Sequence, residues 1–191
     1  MTEARYSAVV VGASAGGTYA LQQILTRLPA NFPLPIIIAQ HLHPLQNGMA
    51  IIHYNDTGTI IVKDADEKES IRPGFVYFAP PNYHLLIEAD HTFSLTIDPK
   101  ANYSRPSIDV LFESAANVYG SHLVAIILTG ANNDGAEGLR LIKAKGGLVI
   151  VQDPQSAEFS LMPEAALQAV HPDFVLGLAE IGCWLAELAQ P

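Results

Sequence analysis

Four short runs of aliphatic and β-branched residues constrain this chain most. They are Ser7-Ala-Val-Val-Val11, Ile36-Ile-Ile-Ala39, Leu123-Val-Ala-Ile-Ile-Leu128 and Leu148-Val-Ile-Val151. None alternates apolar with polar residues, so each reads as a strand covered on both faces, the habit of a parallel sheet. Helical patterning fills the spaces between them. Ala20, Leu21, Ile24, Leu25 and Leu28 share one helix face, and Pro29 with Pro33-Leu34-Pro35 ends that helix. Ile108, Leu111, Phe112, Ala115, Ala116 and Tyr119 form a second stripe, with Pro106 suited to its first turn. Glu137 to Lys145, Met162 to Val170 and Ile181 to Leu188 read as further helices, and Phe174-Val-Leu176 as a last strand. Strands alternating with helices predict an α/β fold: a doubly wound, mostly parallel sheet with helices on both faces.

The stretch from Met49 to Asp98 departs from this rhythm. Ile60-Ile-Val62, Phe75-Val-Tyr-Phe78, His84-Leu-Leu-Ile87 and Phe93-Ser-Leu-Thr-Ile97 are short β runs with turn residues between them. The last two read as an antiparallel hairpin. The whole stretch is expected to be an antiparallel β excursion from the parallel sheet rather than a second domain, because so few residues bury too little to fold alone. The expectation is a single domain over residues 1–191.

Composition closes off several classes of function. Hydrophobic residues make up 49% and charged residues 15%, which excludes a disordered chain. No apolar run approaches the roughly 20 residues that span a bilayer. Glu3 and Arg5 run straight into the first strand, unlike a signal peptide. The single cysteine, Cys183, leaves no internal disulfide framework and suits a reducing, cytoplasmic setting. A net charge of -9 without a basic cluster argues against nucleic-acid binding.

Ligands of open parallel sheets bind at the carboxyl ends of the strands. Three strands here end in residues of complementary chemistry: Ser14, His41 and Asp134. A serine hydroxyl becomes a nucleophile when an imidazole takes its proton, and a carboxylate fixes that imidazole's tautomer. Gly12-Ala13-Ser14-Ala15-Gly16 also has the form G-x-S-x-G, in which small neighbours allow a tight strand-to-helix turn. Each piece has another reading. The glycine-rich turn serves equally as a phosphate loop or as plain strand–helix packing, although neither G-x-G-x-x-G nor a Gly-Lys-Ser/Thr ending is present. His41 competes with six other histidines and reads also as a surface or capping residue. Asp134 reads also as the N-cap of the helix after it. His41 and His43 lack the neighbouring cysteine or carboxylate that would make a metal site.

Taken together, Val11-Gly-Ala-Ser-Ala-Gly-Gly17, Gln40-His41, Arg105-Pro-Ser-Ile-Asp-Val-Leu-Phe112, Ile127-Leu-Thr-Gly130, Asn133-Asp-Gly-Ala136 and Met162-Pro-Glu-Ala165 resemble the catalytic domain of the chemotaxis protein-glutamate methylesterase family, CheB. They follow the family's order and span nearly the whole chain. The resemblance implies Ser14 as nucleophile, His41 as base and Asp134 as orienting carboxylate, with backbone N–H groups of Ala15 and Ala131 at the oxyanion. It implies hydrolysis of glutamate γ-methyl esters on the cytoplasmic helices of chemoreceptors, a related glutamine deamidation, and no cofactor. Ala15 stands where the family usually has threonine, Ala131-Asn132 where it usually has Met-Gly, and Leu42-His43-Pro44 where it commonly has Met-Pro. Asn132 in place of glycine is expected to bear on the turn. His43, two residues past His41, is expected not to be the base. The family's receiver domain precedes the catalytic domain, and the expectation here is a catalytic domain without one. Two rival readings accompany this: a catalytically weak module that docks a receptor or signalling partner, and a nucleotide-binding α/β domain.

Overall fold

Residues with two apolar faces need cover on both sides, and the sheet supplies it. The structure, a computed structural model, describes residues 5–42 and 47–189. Among them β1 (Ala8–Ala13), β2 (Ile36–Gln40), β3 (Ile61–Asp64), β4 (Phe75–Phe78), β7 (Leu123–Ile127), β8 (Leu148–Gln152) and β9 (Phe174–Leu176) form one sheet in the order β3-β4-β2-β1-β7-β8-β9. Every neighbouring pair in it is parallel. Val9, Val11 and Ala13 of β1 face one core, with α1 (Gly17–Leu25), α2 (Asn47–Thr57) and α6 (Leu178–Glu187) packed over it. Ala8 and Val10 face the other, under α3 (Ile108–Tyr119), α4 (Ala136–Ala144) and α5 (Leu161–Ala169). The expected doubly wound sheet is therefore present, and its β-branched runs occupy the central strands.

The stretch 49–98 is only partly the excursion expected. β5 (His84–Ile87) and β6 (Phe93–Thr96) do form the antiparallel hairpin, in register His84 to Thr96 and Ile87 to Phe93. β3 and β4, however, extend the main sheet beyond β2 in parallel. The crossover between them contains no helix, the usual sign of a parallel pair. Its backbone is held by the hairpin instead: Lys68 N–H donates to Phe93 O, Ile71 N–H to His91 O, and Phe93 N–H to Glu69 O. Helix α2 was not expected either. Its apolar residues do not share a side: Ala50 and Tyr54 are buried, while Met49 and Ile52 are among the most exposed apolar residues.

Helix α3 lays its apolar stripe on the sheet. Ile108, Leu111, Phe112, Ala115 and Ala116 are fully buried against it. Burying each of the large ones contributes about 1.5–3 kcal/mol, enough to fix the helix axis. The helix starts at Ile108, two residues later than Pro106 as a first helical residue suggests. Ser107 is the N-cap, its Oγ accepting from Val110 N–H at 3.5 Å. Among the described residues no helix is long and apolar enough to cross a membrane.

Candidate active site

The order of the sheet reverses beside β1: the chain winds outward through β2, then returns to β7 on the other side. Such a switch point leaves a crevice at the strands' carboxyl ends. After β1 the chain turns through Ser14-Ala15-Gly16 into α1. Gly16 has φ 77°, in the left-handed region, and a Cβ there would lie 2.9 Å from Glu158 Oε2 and 3.1 Å from Thr129 Oγ1. Only glycine takes that conformation and that space without strain. The ladder continues past the strands. Ser14 N–H donates to Thr129 O at 3.0 Å, and His41 N–H donates to Ala13 O at 3.0 Å. Parallel register thus sets Ser14 between the segments after β2 and β7. At Gly130 a Cβ would lie 2.9 Å from Ser14 Cβ and 2.6 Å from Met162 Sδ, so glycine lets the β7 loop close over the serine.

Ser14, His41 and Asp134, singled out in the sequence, come together. His41 Nδ1 lies 3.2 Å from Ser14 Oγ, and its Nε2 lies 2.9 Å from Asp134 Oδ2. The imidazole is 13% exposed and the carboxylate 0%. Asp134 does not cap the helix after it, which begins behind Gly135 with no side-chain cap. It sits instead on the N-terminus of α3. Its Oδ2 accepts from Ile108 N–H at 2.7 Å, and its Oδ1 from Asp109 N–H at 3.1 Å, Ser107 Oγ–H at 2.9 Å and Asn102 Nδ2–H at 3.0 Å. Free amides at a helix start favour an anion. Burial alone would raise this carboxyl, but the hydrogen bonds from His41, Asn102, Ile108 and Asp109 outweigh it and hold it down to about 2.

An ionised Asp134 requires a proton on His41 Nε2, which leaves the Nδ1 lone pair facing Ser14. A second group agrees with that tautomer. Asn132 Oδ1 accepts from Asp134 N–H at 3.0 Å, which orients the amide and aims its Nδ2 at His41 Nδ1, 3.0 Å away. Asn132 was expected to bear on the turn through its backbone; its φ is not positive, and its side chain carries the interaction. Ala15 and Ala131 flank Ser14 and Gly130, and among the described residues neither backbone N–H donates to a protein acceptor. An open cleft of about 380 Å³ runs from Ser14 past Ala15, Tyr19, His41, Leu42 and Glu158. The arrangement provides a hydroxyl, a lone pair to take its proton and a buried anion behind the ring, the requirements of acyl transfer.

Several contributors escape sequence reasoning. Ser107 before an apolar stripe is legible as an N-cap, but not as a donor to Asp134. Asn102, at φ 49°, gives no local signal; its Nδ2 bridges Asp134 and Asp109, 2.7 Å from Asp109 Oδ2. Burial raises Asp109 to about 6, against the hydrogen bond from Gly138 N–H, with the charge of Asp134 adding to the rise. Among the other histidines, His84 is buried and its Nδ1 accepts from Ser107 N–H at 3.2 Å, a supporting role. His43 lies outside the described residues.

Three comparisons set the chain among known proteins. The family model for CheB methylesterase matches residues 9–185. A Thermotoga maritima protein named protein-glutamate methylesterase/protein-glutamine glutaminase is 37% identical over 183 residues, which are 94% of this chain and 53% of that protein. A Leptospira interrogans protein, provisionally named for the same two activities, is 52% identical over 185 residues, covering 97% of this chain and 96% of its own length. The chain therefore spans nearly all of one relative and about half of the other. The crystal structure of the Thermotoga maritima CheB methylesterase catalytic domain superposes with a TM-score of 0.92 at 36% identity, covering 96% of this chain and 98% of that one.

Proposed function

Because the chain belongs to the CheB methylesterase family, we propose that it is a serine carboxylesterase hydrolysing γ-methyl esters of glutamate on chemoreceptor cytoplasmic helices or a similarly methylated protein. Glutamine deamidation is the related second activity, since only the leaving group differs. The observation that carries the reading is the bridge made by His41, 3.2 Å from Ser14 Oγ on one side and 2.9 Å from Asp134 on the other.

In this mechanism Ser14 Oγ attacks the ester carbonyl while its proton passes to His41 Nδ1. The imidazolium is stabilised by the Asp134 carboxylate, which stays ionised. The N–H groups of Ala15 and Ala131 receive the oxyanion, since preorganised donors are worth most where negative charge develops. His41 then gives its proton to the departing methoxide. A glutamyl ester of Ser14 remains. Water, deprotonated by the same nitrogen, attacks it and releases glutamate and free Ser14. For a glutamine side chain the leaving group is ammonia.

Ser107, Asn102 and the amides of Ile108 and Asp109 act through Asp134. They keep a fully buried carboxylate charged, so the ring it orients stays in one tautomer. The test is methanol release from a methylated receptor cytoplasmic fragment. Wild type is expected to release methanol and Ser14→Ala to release none above the uncatalysed rate. Equal rates from the two would overturn the serine mechanism. Absence of release by wild type would favour the receptor-docking reading.

A further inference from the structure

Among the described residues, two donors compete for the lone pair of His41 Nδ1. Ser14 Oγ lies 3.2 Å away, longer than the usual 2.7–2.8 Å of a hydroxyl donor, while Asn132 Nδ2 lies 3.0 Å away, the ordinary distance for an amide. An imidazole nitrogen has one in-plane lone pair, so the two donors share it. The identity of the closer donor is fixed, because Asn132 Oδ1 already accepts from Asp134 N–H. The tautomer does not need Asn132, since Asp134 imposes it from the Nε2 side. What remains is competition for the lone pair that the serine's proton must use.

Building on the proposed esterase reading, we propose that Asn132 is a positioning residue that withholds part of the His41 Nδ1 lone pair from Ser14, setting turnover below what the other three groups would reach without it. The hydrogen bond from Asn132 exists only while Nδ1 is unprotonated. It is lost when the ring accepts the serine proton, so it stabilises the resting state relative to the transition state. An interaction stronger in the ground state slows the chemical step. Among the described residues, the groups facing the ring are the hydroxyl of Ser14, the amide of Asn132 and the carboxylate of Asp134, with Glu158 lining the same cleft.

Two variants keep the turn while changing the donor. Asn132→Ser retains an oxygen for Asp134 N–H in the same type of turn but is too short to reach His41. Asn132→Asp retains the oxygen and sets an acceptor where the donor was. Asn132→Ser is expected to raise kcat about 3- to 10-fold, the worth of one neutral hydrogen bond. The acid side of its pH–rate profile should move to higher pH, because the neutral ring no longer gains a bond that the protonated ring lacks. Asn132→Asp should draw a proton onto Nδ1 and lose at least about 100-fold. A second readout needs no substrate. In long-range ¹H–¹⁵N spectra, with His41 assigned through His41→Gln, the Nδ1 resonance of an unprotonated, hydrogen-bonded nitrogen should shift in Asn132→Ser. A protonated Nδ1 in the wild-type spectrum, or an Nδ1 shift unchanged in Asn132→Ser, overturns the proposal even if no methylated receptor is ever turned over. So does a fall in kcat in Asn132→Ser with the acid limb unmoved, which would place the Asn132 amide on the oxyanion instead.

Discussion

Replacing Asp134 by asparagine tests the cradle that positions the base. Among the described residues the carboxylate accepts five hydrogen bonds: three on Oδ1, from Ser107, Asn102 and Asp109, and two on Oδ2, from Ile108 and His41. Asparagine has one oxygen, and the better place for it is the side with three donors. Its NH₂ then faces Ile108 N–H and His41 Nε2. The Ile108 amide is left buried without an acceptor, at about 1–3 kcal/mol, and the charge-assisted bonds are lost as well. A net destabilisation of about 2–4 kcal/mol results, or about 5–15 °C in Tm for a chain of this size. The ring also answers. To accept from the new NH₂, Nε2 gives up its proton and Nδ1 takes one, so the lone pair facing Ser14 disappears. Loss of the correct tautomer costs about 10⁴ in kcat, less than the loss of nucleophile or base. The acid end of the stability curve should change too. Asp134 titrates at about 2 when folded and near 3.8 when unfolded. Its stabilisation is complete above 3.8 and is lost as pH falls toward 2, and Asp134→Asn should abolish that limb. Thermal melts from pH 2 to 8 and methanol-release rates at pH 7.5 measure both effects. A variant with wild-type Tm and a rate within tenfold of wild type would show that Asp134 neither stabilises the start of α3 nor fixes the tautomer of His41.

Two other substitutions give separate checks. Asp109 titrates at about 6 when folded against 3.8 unfolded, so stability falls as pH rises through that window and the penalty is full above it. Asp109→Asn removes that penalty, so its melting temperature relative to wild type should rise between pH 4 and pH 7.5; equal melting shifts at both pH values would contradict it. Gly130→Ala pushes a methyl into Ser14 Cβ and Met162 Sδ and should cut methanol release at least about 100-fold through misplacement of the nucleophile; an unchanged rate would show that the β7 loop does not set the position of Ser14.

The central strands were legible because residues buried on two faces leave no room for polar alternation. Ser14, His41 and Asp134 were legible for a related reason: a parallel sheet brings all its carboxyl ends to one edge, so residues remote in sequence can be placed together from strand ends alone. What was not legible depends on contacts between elements. The strands β3 and β4 read as part of an antiparallel excursion because their crossover has no helix, and the hairpin that replaces it acts through backbone bonds from Lys68, Ile71 and Phe93. Helix α2 shows no clean apolar stripe in the sequence because Ala50, Ile51 and Tyr54 turn inward while the neighbouring Met49 and Ile52 stay exposed. The role of Asp134 as acceptor for the first amides of α3, rather than as cap of the helix that follows it, depends on where α3 docks. Asn132 was visible as an unusual residue beside the site, but its donor could be assigned only once Asp134 N–H had claimed its oxygen.

Covalent trapping shows whether Ser14 is a nucleophile activated by His41. Wild type, Ser14→Ala and His41→Ala are incubated with a fluorophosphonate at neutral pH, and the adducts are located by peptide mass spectrometry. A single phosphonyl adduct on Ser14 is expected in the wild type, none in Ser14→Ala, and labelling at least about 100-fold slower in His41→Ala. An adduct on another residue, or Ser14 labelled as fast without His41 as with it, would rule out a Ser14 nucleophile activated by His41.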